Sequence, residues 1–405
     1  MIVRILSSVF FTDIGAKERY IGYLNFLGIP WNLKFLWSPF VDALGTKRGW
    51  LLLMQLAISI LTAIIAVLCL MVPGIGDANP HILAMSLVFV AMAFAAATND
   101  IAIDAYYMEG LTDPKDQAAY SGYRVVAYRV SMIFARSGLV ALAAALGAYY
   151  GPDKYSPWAY AFGAGAATML GLTLFHTLRL PRFEARRDRP KPMQVIRSYG
   201  RAFATYIQQD RIALVLAFIA LYKLGDEIMF SMITPFLMRE IGVTKAQYAW
   251  IGGIVGAAAS IGGAMLGAYW IEKKGLRKAM WPITLLMNLN IGVYIWFAYA
   301  KPNPATTTGL MLVAAIHGYE QVAAGLGNSA LVLYLLTTCK AEFKAAHYAI
   351  GSAIMSLGGT LVGGFGGQLV ERIGYLHLFT LALISTIPSM LLLFVVPLRD
   401  HGSTT

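Results

Sequence analysis

Apolar residues in this chain gather into runs of about 20, each long enough to cross a bilayer as a helix. Eleven such runs are predicted, at residues 20–41, 50–72, 82–106, 118–146, 158–178, 211–238, 247–271, 279–299, 308–337, 345–369 and 376–397. They are separated by turn signals, among them Asp42 to Arg48, a hydrophilic turn around Pro114 and the Gly151-Pro152 break. Met1 to Phe11 is apolar but too short to span, and no small-residue cleavage site follows it, so a secretory leader is not expected. The pattern predicts an all-α polytopic membrane protein.

The polar positions inside the runs carry the chemical interest. Tyr222-Lys223-Leu224-Gly225-Asp226-Glu227 places three ionisable residues near the middle of the 211–238 run. In hydrocarbon each such group costs roughly 2.5–3.5 kcal/mol, so it is rare unless it faces a polar cavity or a partner. Lys223 and Asp226, three apart, share one helix face and partly neutralise each other. Helix-holding ion pairs are the plain alternative to a binding or coupling site at the membrane midplane.

Composition agrees with the membrane reading: 58% of residues are hydrophobic and 13% charged, against roughly 25% charged in soluble domains. The net charge of +11 invites a nucleic-acid reading, but the basic residues cluster in alternate loops, the cytoplasmic bias of a multi-pass protein. The longest polar stretch, 181–210, holds Arg182, Arg186, Arg187, Arg189, Lys191, Arg197 and Arg201 and reads as a cytoplasmic linker. It divides the chain into an N-terminal bundle, 1–180, and a C-terminal bundle, 211–405, with the C-terminus cytoplasmic. The loop from Pro73 to His81 has no Lys or Arg and reads as external. Cys69 and Cys339 match no disulfide framework or metal-ligand spacing, and no metal site is expected.

The two halves repeat. Asp42-x-x-Gly45-x-Lys47-Arg48 recurs as Glu272-x-x-Gly275-x-Arg277-Lys278, and Thr12-Asp13-Ile14-Gly15 is echoed by Arg239-Glu240-Ile241-Gly242. Repeated landmarks on either side of a basic loop are what a two-bundle transporter leaves in its sequence. The glycine permits a tight turn, and the flanking charges hold neighbouring helices in one state, a cytoplasmic gating element. This hairpin matches the pattern repeated in the major facilitator superfamily. In the alignment of the halves Met1 falls near Met229, so the counterpart of residues 211–228 is missing. The expectation is therefore two six-helix bundles with most of the first helix absent: eleven spans plus a stub.

Other candidates are weighed by depth and spacing. Asp100 and Asp104 stack on one face of the 82–106 run, and Arg124 and Arg129 enter the next at comparable depth, so ion pairs across that hairpin are expected. Asp100, the deeper, is the better candidate for substrate or proton. Lys34 lies roughly 12 Å into the membrane, counted at 1.5 Å per residue from Asp42, deeper than simple snorkelling favours. His317 and Glu320 are three apart in the 308–337 run, and Glu320 is expected to face Lys223 and Asp226. Glycine pairs such as Gly252-Gly253 and Gly262-Gly263 lie inside the runs, where small residues let helices approach, and do not read as nucleotide loops. No nucleophile, base and orienter occur together, so no enzyme is expected.

Several stretches resemble the AmpG-type muropeptide permeases, in the peptide–acetyl-coenzyme A transporter branch of that superfamily. They are Lys34-Phe35-Leu36-Trp37-Ser38-Pro39 followed by Asp42, Arg48-Gly49-Trp50, Asp100-Ile101-Ala102-Ile103-Asp104-Ala105, Gly122-Tyr123-Arg124, Tyr222 to Asp226, and Glu320 through Gly327-Asn328-Ser329-Ala330. Glu227, after the Lys-Leu-Gly-Asp run, departs from the pattern. The resemblance implies import of anhydro-muropeptides with protons across a bacterial inner membrane by alternating access. Lys34, Asp100, Asp104, Arg124, Arg129, Lys223, Asp226, Glu227, Glu320 and Asn328 would bind substrate or proton. It further implies no cofactor beyond the proton gradient, a small amphiphilic substrate, the lipid bilayer as surroundings, no nucleic acid, and a monomer. A siderophore or acetyl-coenzyme A carrier is the alternative within the branch.

Overall fold

A computed structural model of the protein describes residues 3, 6–72, 80–111, 113–151, 153–182 and 192–398, with only the backbone described at a few helical positions, Asp42 among them. Among these residues every regular element is helical. Among the described residues seven helices are long and apolar enough to cross a membrane, including Lys47–Leu70, Tyr155–Arg179 and Leu276–Ala300. A helix satisfies its backbone N–H and C=O groups internally, which hydrocarbon demands. Several starts are capped by threonine: Thr46 accepts from the Gly49 N–H, Thr306 from the Gly309 N–H, and Thr244 forms a reciprocal pair with Gln247.

The chain forms two compact units. The first comprises Met1–Ala16 and Leu27–Ser198, the second Lys17–Phe26 and Tyr199–Thr405. In the first unit helix Lys47–Leu70 packs against Pro80–Gly110 and Tyr155–Arg179. Its core is a ring cluster in which Phe10 meets Phe11, Trp158 and Phe162 edge-on at 5.1–5.6 Å. Such aromatic pairs contribute about 0.5–1.5 kcal/mol each beyond their area.

The second unit relies on close backbone approach. Gly263 of helix Gly256–Lys274 lies against helix Thr307–Thr337 so tightly that a Cβ there would stand 2.2 Å from the Val322 carbonyl oxygen. Gly325 on the facing helix is equally confined, 2.5 Å from the Ser260 carbonyl oxygen. Small residues at helix contacts are how apolar helices associate where lipid removes the hydrophobic advantage of clustering. The short helix Glu18–Tyr23 joins this unit by lying on helix Lys344–Ile384, with Gly22 pressed to Gly367 and Asn25 donating to the Gly363 carbonyl at 3.2 Å. Arg19 pairs with Glu371 at 2.7 Å and Arg239 with Glu18 at 2.9 Å.

Two expected spans depart from a single straight helix. Residues 20–41 are a chain of short pieces, Glu18–Tyr23, Leu24–Gly28, Ile29–Leu33, Lys34–Leu36 and Ser38–Ala43. Pro30 and Pro39 sit in first turns there, where their missing N–H is tolerated, and each starts a new helix. The 211–238 span is two helices, Ile212–Leu221 and Leu224–Pro235, parted where Lys223 takes φ −104° and ψ 7°. The runs expected at 345–369 and 376–397 are parted at Gly374, whose φ is 75°. The stretch expected to be linker contains helix Pro192–Ile207, with Ala202 and Tyr206 buried and Arg197 and Arg201 exposed. Arg186, Arg187, Arg189 and Lys191 lie outside the described residues, as does most of the loop after Pro73.

The internal repeat is written in the backbone. Gly45 and Gly275 have φ of +66° and +78°, and Gly15 and Gly242 have +88° and +84°. A residue with a Cβ is strained in this left-handed region, so each repeated glycine is required by its turn.

Candidate functional site

The interruption at Tyr222-Lys223 organises the polar interior of the second unit. Because a new helix starts at Leu224, Asp226 and Glu227 occupy its first turn, where the helix dipole favours negative charge. Lys223 Nζ lies 3.6 Å from Asp226 Oδ2, 3.5 Å from Glu227 Oε1 and 3.0 Å from Asn328 Oδ1. Asp226 is 1% exposed and Glu227 36%. The Asp226 carboxylate is held by charge alone, since neither oxygen has a hydrogen-bond partner among the described residues. The buried carboxylate thus keeps unsatisfied acceptor capacity next to an ammonium group that is already shared.

Glu320 stands within electrostatic reach of Asp226 but takes other hydrogen-bond partners. It is fully buried; Tyr294 donates its hydroxyl to Oε2, and Gln321 Nε2 donates to Oε1 at 2.7 Å, so Lys223 is not its partner. His317 Nδ1 stands 2.8 Å from Glu320 Oε2 but is not aligned for a directed hydrogen bond, and both ring nitrogens lack one. Glu320 and Asp226 are close enough to interact electrostatically. Two buried carboxylates near one lysine leave a negative charge that a low-dielectric interior does not tolerate uncompensated. Asn288 and Asn290 are also buried here with unpartnered amide atoms. Sequence reasoning missed Tyr294, Asn288 and Asn290; the two asparagines were visible as polar residues inside an apolar run, whereas Tyr294 carried no signal.

The first unit brings together a second set of charges. Lys34 pairs with Asp100, and Arg124 with Asp104, with the Arg124 guanidinium 4.5 Å above the Tyr107 ring. Lys34 is thus a partner of Asp100 and does not snorkel. Arg129 departs from the expected hairpin pair: its guanidinium lies 5.8 Å over the Tyr128 ring, and its Nε has no hydrogen bond. Arg136, in a π-helical turn at Phe134–Gly138, has an unpartnered Nε as well. Both aspartates and both of their partners are a third to nearly half exposed, so these pairs line accessible surface.

In the first hairpin motif, buried Lys47 donates to the Val41 carbonyl at 3.0 Å. Arg48 donates to the Leu180 and Thr177 carbonyls at the end of helix Tyr155–Arg179. A cation on a helix C-terminus is favourable. The Asp42 side chain lies outside the described residues. In the second copy Glu272 is exposed, while Arg277 and Lys278 open helix Leu276–Ala300. Among the described residues no group of three His, Cys, Asp or Glu side chains could hold a metal.

Long apolar helices, two units with repeated hairpins and ion pairs set within spans define a multi-pass membrane protein of the permease type. A sequence model of the Major Facilitator Superfamily matches residues 24–320 and 215–405, so the chain belongs to that superfamily. It is 28% identical over 382 residues to a protein of Escherichia coli named anhydromuropeptide permease, covering 93% of this chain and 72% of that one. It is 25% identical to a Rickettsia felis protein named putative transporter AmpG 4, covering 95% and 90%. The crystal structure of the nucleoside transporter NupG superposes with a TM-score of 0.68 at 14% identity, covering 98% and 95%, and shows the shared fold.

Proposed function

We propose that this chain is a secondary transporter, not an enzyme, that imports anhydro-muropeptides by proton symport with alternating access. It would act as a monomer in a bacterial inner membrane, C-terminus in the cytoplasm, driven by the proton gradient and needing no cofactor. The observation that carries this reading is the cluster of Lys223, Asp226, Glu227 and Asn328 at a helix interruption inside a span. Likeness to the E. coli protein, by its name, supports the substrate class. In this reading Lys223 and Asn328 take a carboxylate or amide of the sugar-peptide, half-exposed Glu227 takes an amine, and Asp226 with Glu320 carries the proton. Within the first unit, Lys34–Asp100 and Arg124–Asp104 are the charged pairs on accessible surface. The paired hairpins at Asp42–Arg48 and Glu272–Lys278 act as the cytoplasmic gate.

The test is uptake of labelled anhydro-muropeptide by proteoliposomes with and without a pH gradient. Wild type should accumulate it only with the gradient. Asp226→Asn should insert normally and lose gradient-driven uptake; normal uptake by that variant removes Asp226 from the mechanism. Absence of gradient dependence in the wild type overturns symport. The unpartnered guanidinium nitrogens of Arg129 and Arg136 favour a phosphate-bearing alternative, acetyl-coenzyme A. Competition by acetyl-coenzyme A but not by muropeptide would establish that reading instead; an iron-siderophore complex belongs in the same panel.

A further inference from the structure

His317 belongs to the buried cluster of the second unit, and the transport reading gives it no role. Its ring is fully buried, and neither nitrogen has a hydrogen-bond partner among the described residues. Buried polar groups are almost always partnered, so an exception of this kind calls for a reason. Nδ1 stands 2.8 Å from Glu320 Oε2. A bare imidazole nitrogen and a carboxylate oxygen are both acceptors, and two acceptors come this close only with a proton between them. Tyr294 donates its hydroxyl to the same oxygen, so the imidazole approaches out of line as a second donor on one atom. Nε2, on the far side of the ring, faces Gly256, where a Cβ would stand 3.2 Å away. Gly256 follows directly on the π-helical turn Ala249–Val255, an irregularity that is frequent at functional sites.

The titratable groups around this ring come from each helix packed about it. Its own helix, Thr307–Thr337, gives Glu320, whose other oxygen is held by Gln321. Helix Leu276–Ala300 gives Tyr294, which interacts in turn with Tyr248, just before the π-helical turn. Helix Leu224–Pro235 gives Asp226, within electrostatic reach of Glu320. Lys223 is committed to Asp226, Glu227 and Asn328. Among the described residues no lysine or arginine pairs with Glu320, and the imidazole is the basic group beside it.

We propose that His317 and Glu320 form the proton-loading site of this chain, an inference that rests on the symport reading and adds the imidazole to its two carboxylates. Loaded, the pair is imidazolium and carboxylate, neutral as a unit. Empty, the imidazole keeps one proton, on Nδ1 toward Glu320. Loading forms one N–H bond at Nε2 and breaks one O–H bond of a hydronium ion, leaving water; unloading reverses both, and no electrons move. Gly256 leaves Nε2 uncovered by any side chain of its own, and the proton arrives on that side. The empty pair leaves a lone carboxylate in a sealed interior, which favours reloading.

The test is nitrogen-15 NMR of the full chain in detergent, labelled at its six histidines and without substrate. Gly256→Ala sets a methyl against Nε2 and removes no titratable group, so it should shift one histidine signal, that of His317. Between about pH 8 and about pH 5, where an imidazole ordinarily changes charge, that signal should pass from one protonated nitrogen to two. In Glu320→Gln the ring should keep a single proton throughout, because its counter-charge is gone. A ring that holds one state across the range in wild type, or that titrates unchanged in Glu320→Gln, overturns the site. The wild-type spectrum decides this even where a variant fails to fold. In proteoliposomes His317→Gln should lose gradient-driven uptake of labelled anhydro-muropeptide. Protons taken up per substrate bound, read with a pH dye in unbuffered detergent, should fall to none; a purely structural role would leave that ratio unchanged and counts against the site. A titrating ring without gradient-driven uptake in wild type upholds the proton site and removes the symport reading. Gradient-driven uptake with a ring that never titrates does the reverse.

Discussion

Lys34–Asp100 and Lys223–Asp226 are both lysine–aspartate pairs inside apolar stretches, one in each unit, and they differ in their surroundings. The Asp100 side chain is 43% exposed and the Asp226 side chain 1%. Exposed ion pairs contribute about 0–1 kcal/mol, because water screens them and holding two long side chains costs entropy. Sealed pairs are different: breaking one by removing a single partner costs about 3–5 kcal/mol, since a charge is left buried alone. The same chemistry can thus be an adjustable lining in one unit and a fixed requirement in the other. Glycine packing differs in parallel: Gly263 and Gly325 are hemmed in by backbone, whereas a Cβ added at Gly163 or Gly171 of the first unit would meet nothing within 4 Å.

The contrast breaks most sharply at Asp226. Lys223→Met, which leaves the buried Asp226 without its counter-charge, should lower stability in detergent by about 3–5 kcal/mol, read from thermal melting, and adding Asp226→Leu should recover most of it. A single-variant loss below about 1 kcal/mol would mean the second pair is as well screened as the first. Next comes Gly263→Ala, where the new methyl meets the Val322 backbone and the helices must part; about 1–3 kcal/mol should be lost in the same measurement. Asp104→Asn in the first unit should cost less than about 1 kcal/mol and leave the melting curve nearly in place. A loss comparable to that at Asp226 would show that the Arg124 pair is sealed after all. Smallest of all, Gly171→Ala should range from no change to a gain of about 1 kcal/mol from helix propensity, and a loss would reveal a contact at that face.

Much of the helical layout was legible because hydrocarbon imposes a length on each apolar run and a basic bias on alternate loops. The charged residues at Lys34, Asp100, Lys223, Asp226 and Glu320 were legible for the same reason: an ionisable group in such a run is conspicuous. Their partners were not, because pairing is set by tertiary approach. Lys34 finds Asp100 66 residues away, while Arg129, expected to pair across the hairpin, turns to a ring. The break at Lys223 also escaped the periodicity. Beside it Gly225 is pressed against the Ala382 carbonyl, where a Cβ would stand 2.4 Å away, a tertiary approach that periodicity does not signal. Helix Pro192–Ile207 was hidden by the arginines on its outer face, which made an amphipathic stretch look like solvated loop.

The contact between Lys223 and Asn328 also bears on how the chain is made. The two residues are 105 positions apart. At about 5–20 residues per second, a ribosome takes roughly 5–20 s to get from one to the other. For that interval the segment holding Lys223, Asp226 and Glu227 sits at the insertion machinery with its ammonium lacking its neutral ligand, neutralised only by its own acids three and four residues on. Those acids, whatever they do for transport, let the segment enter the bilayer before its partner helix exists.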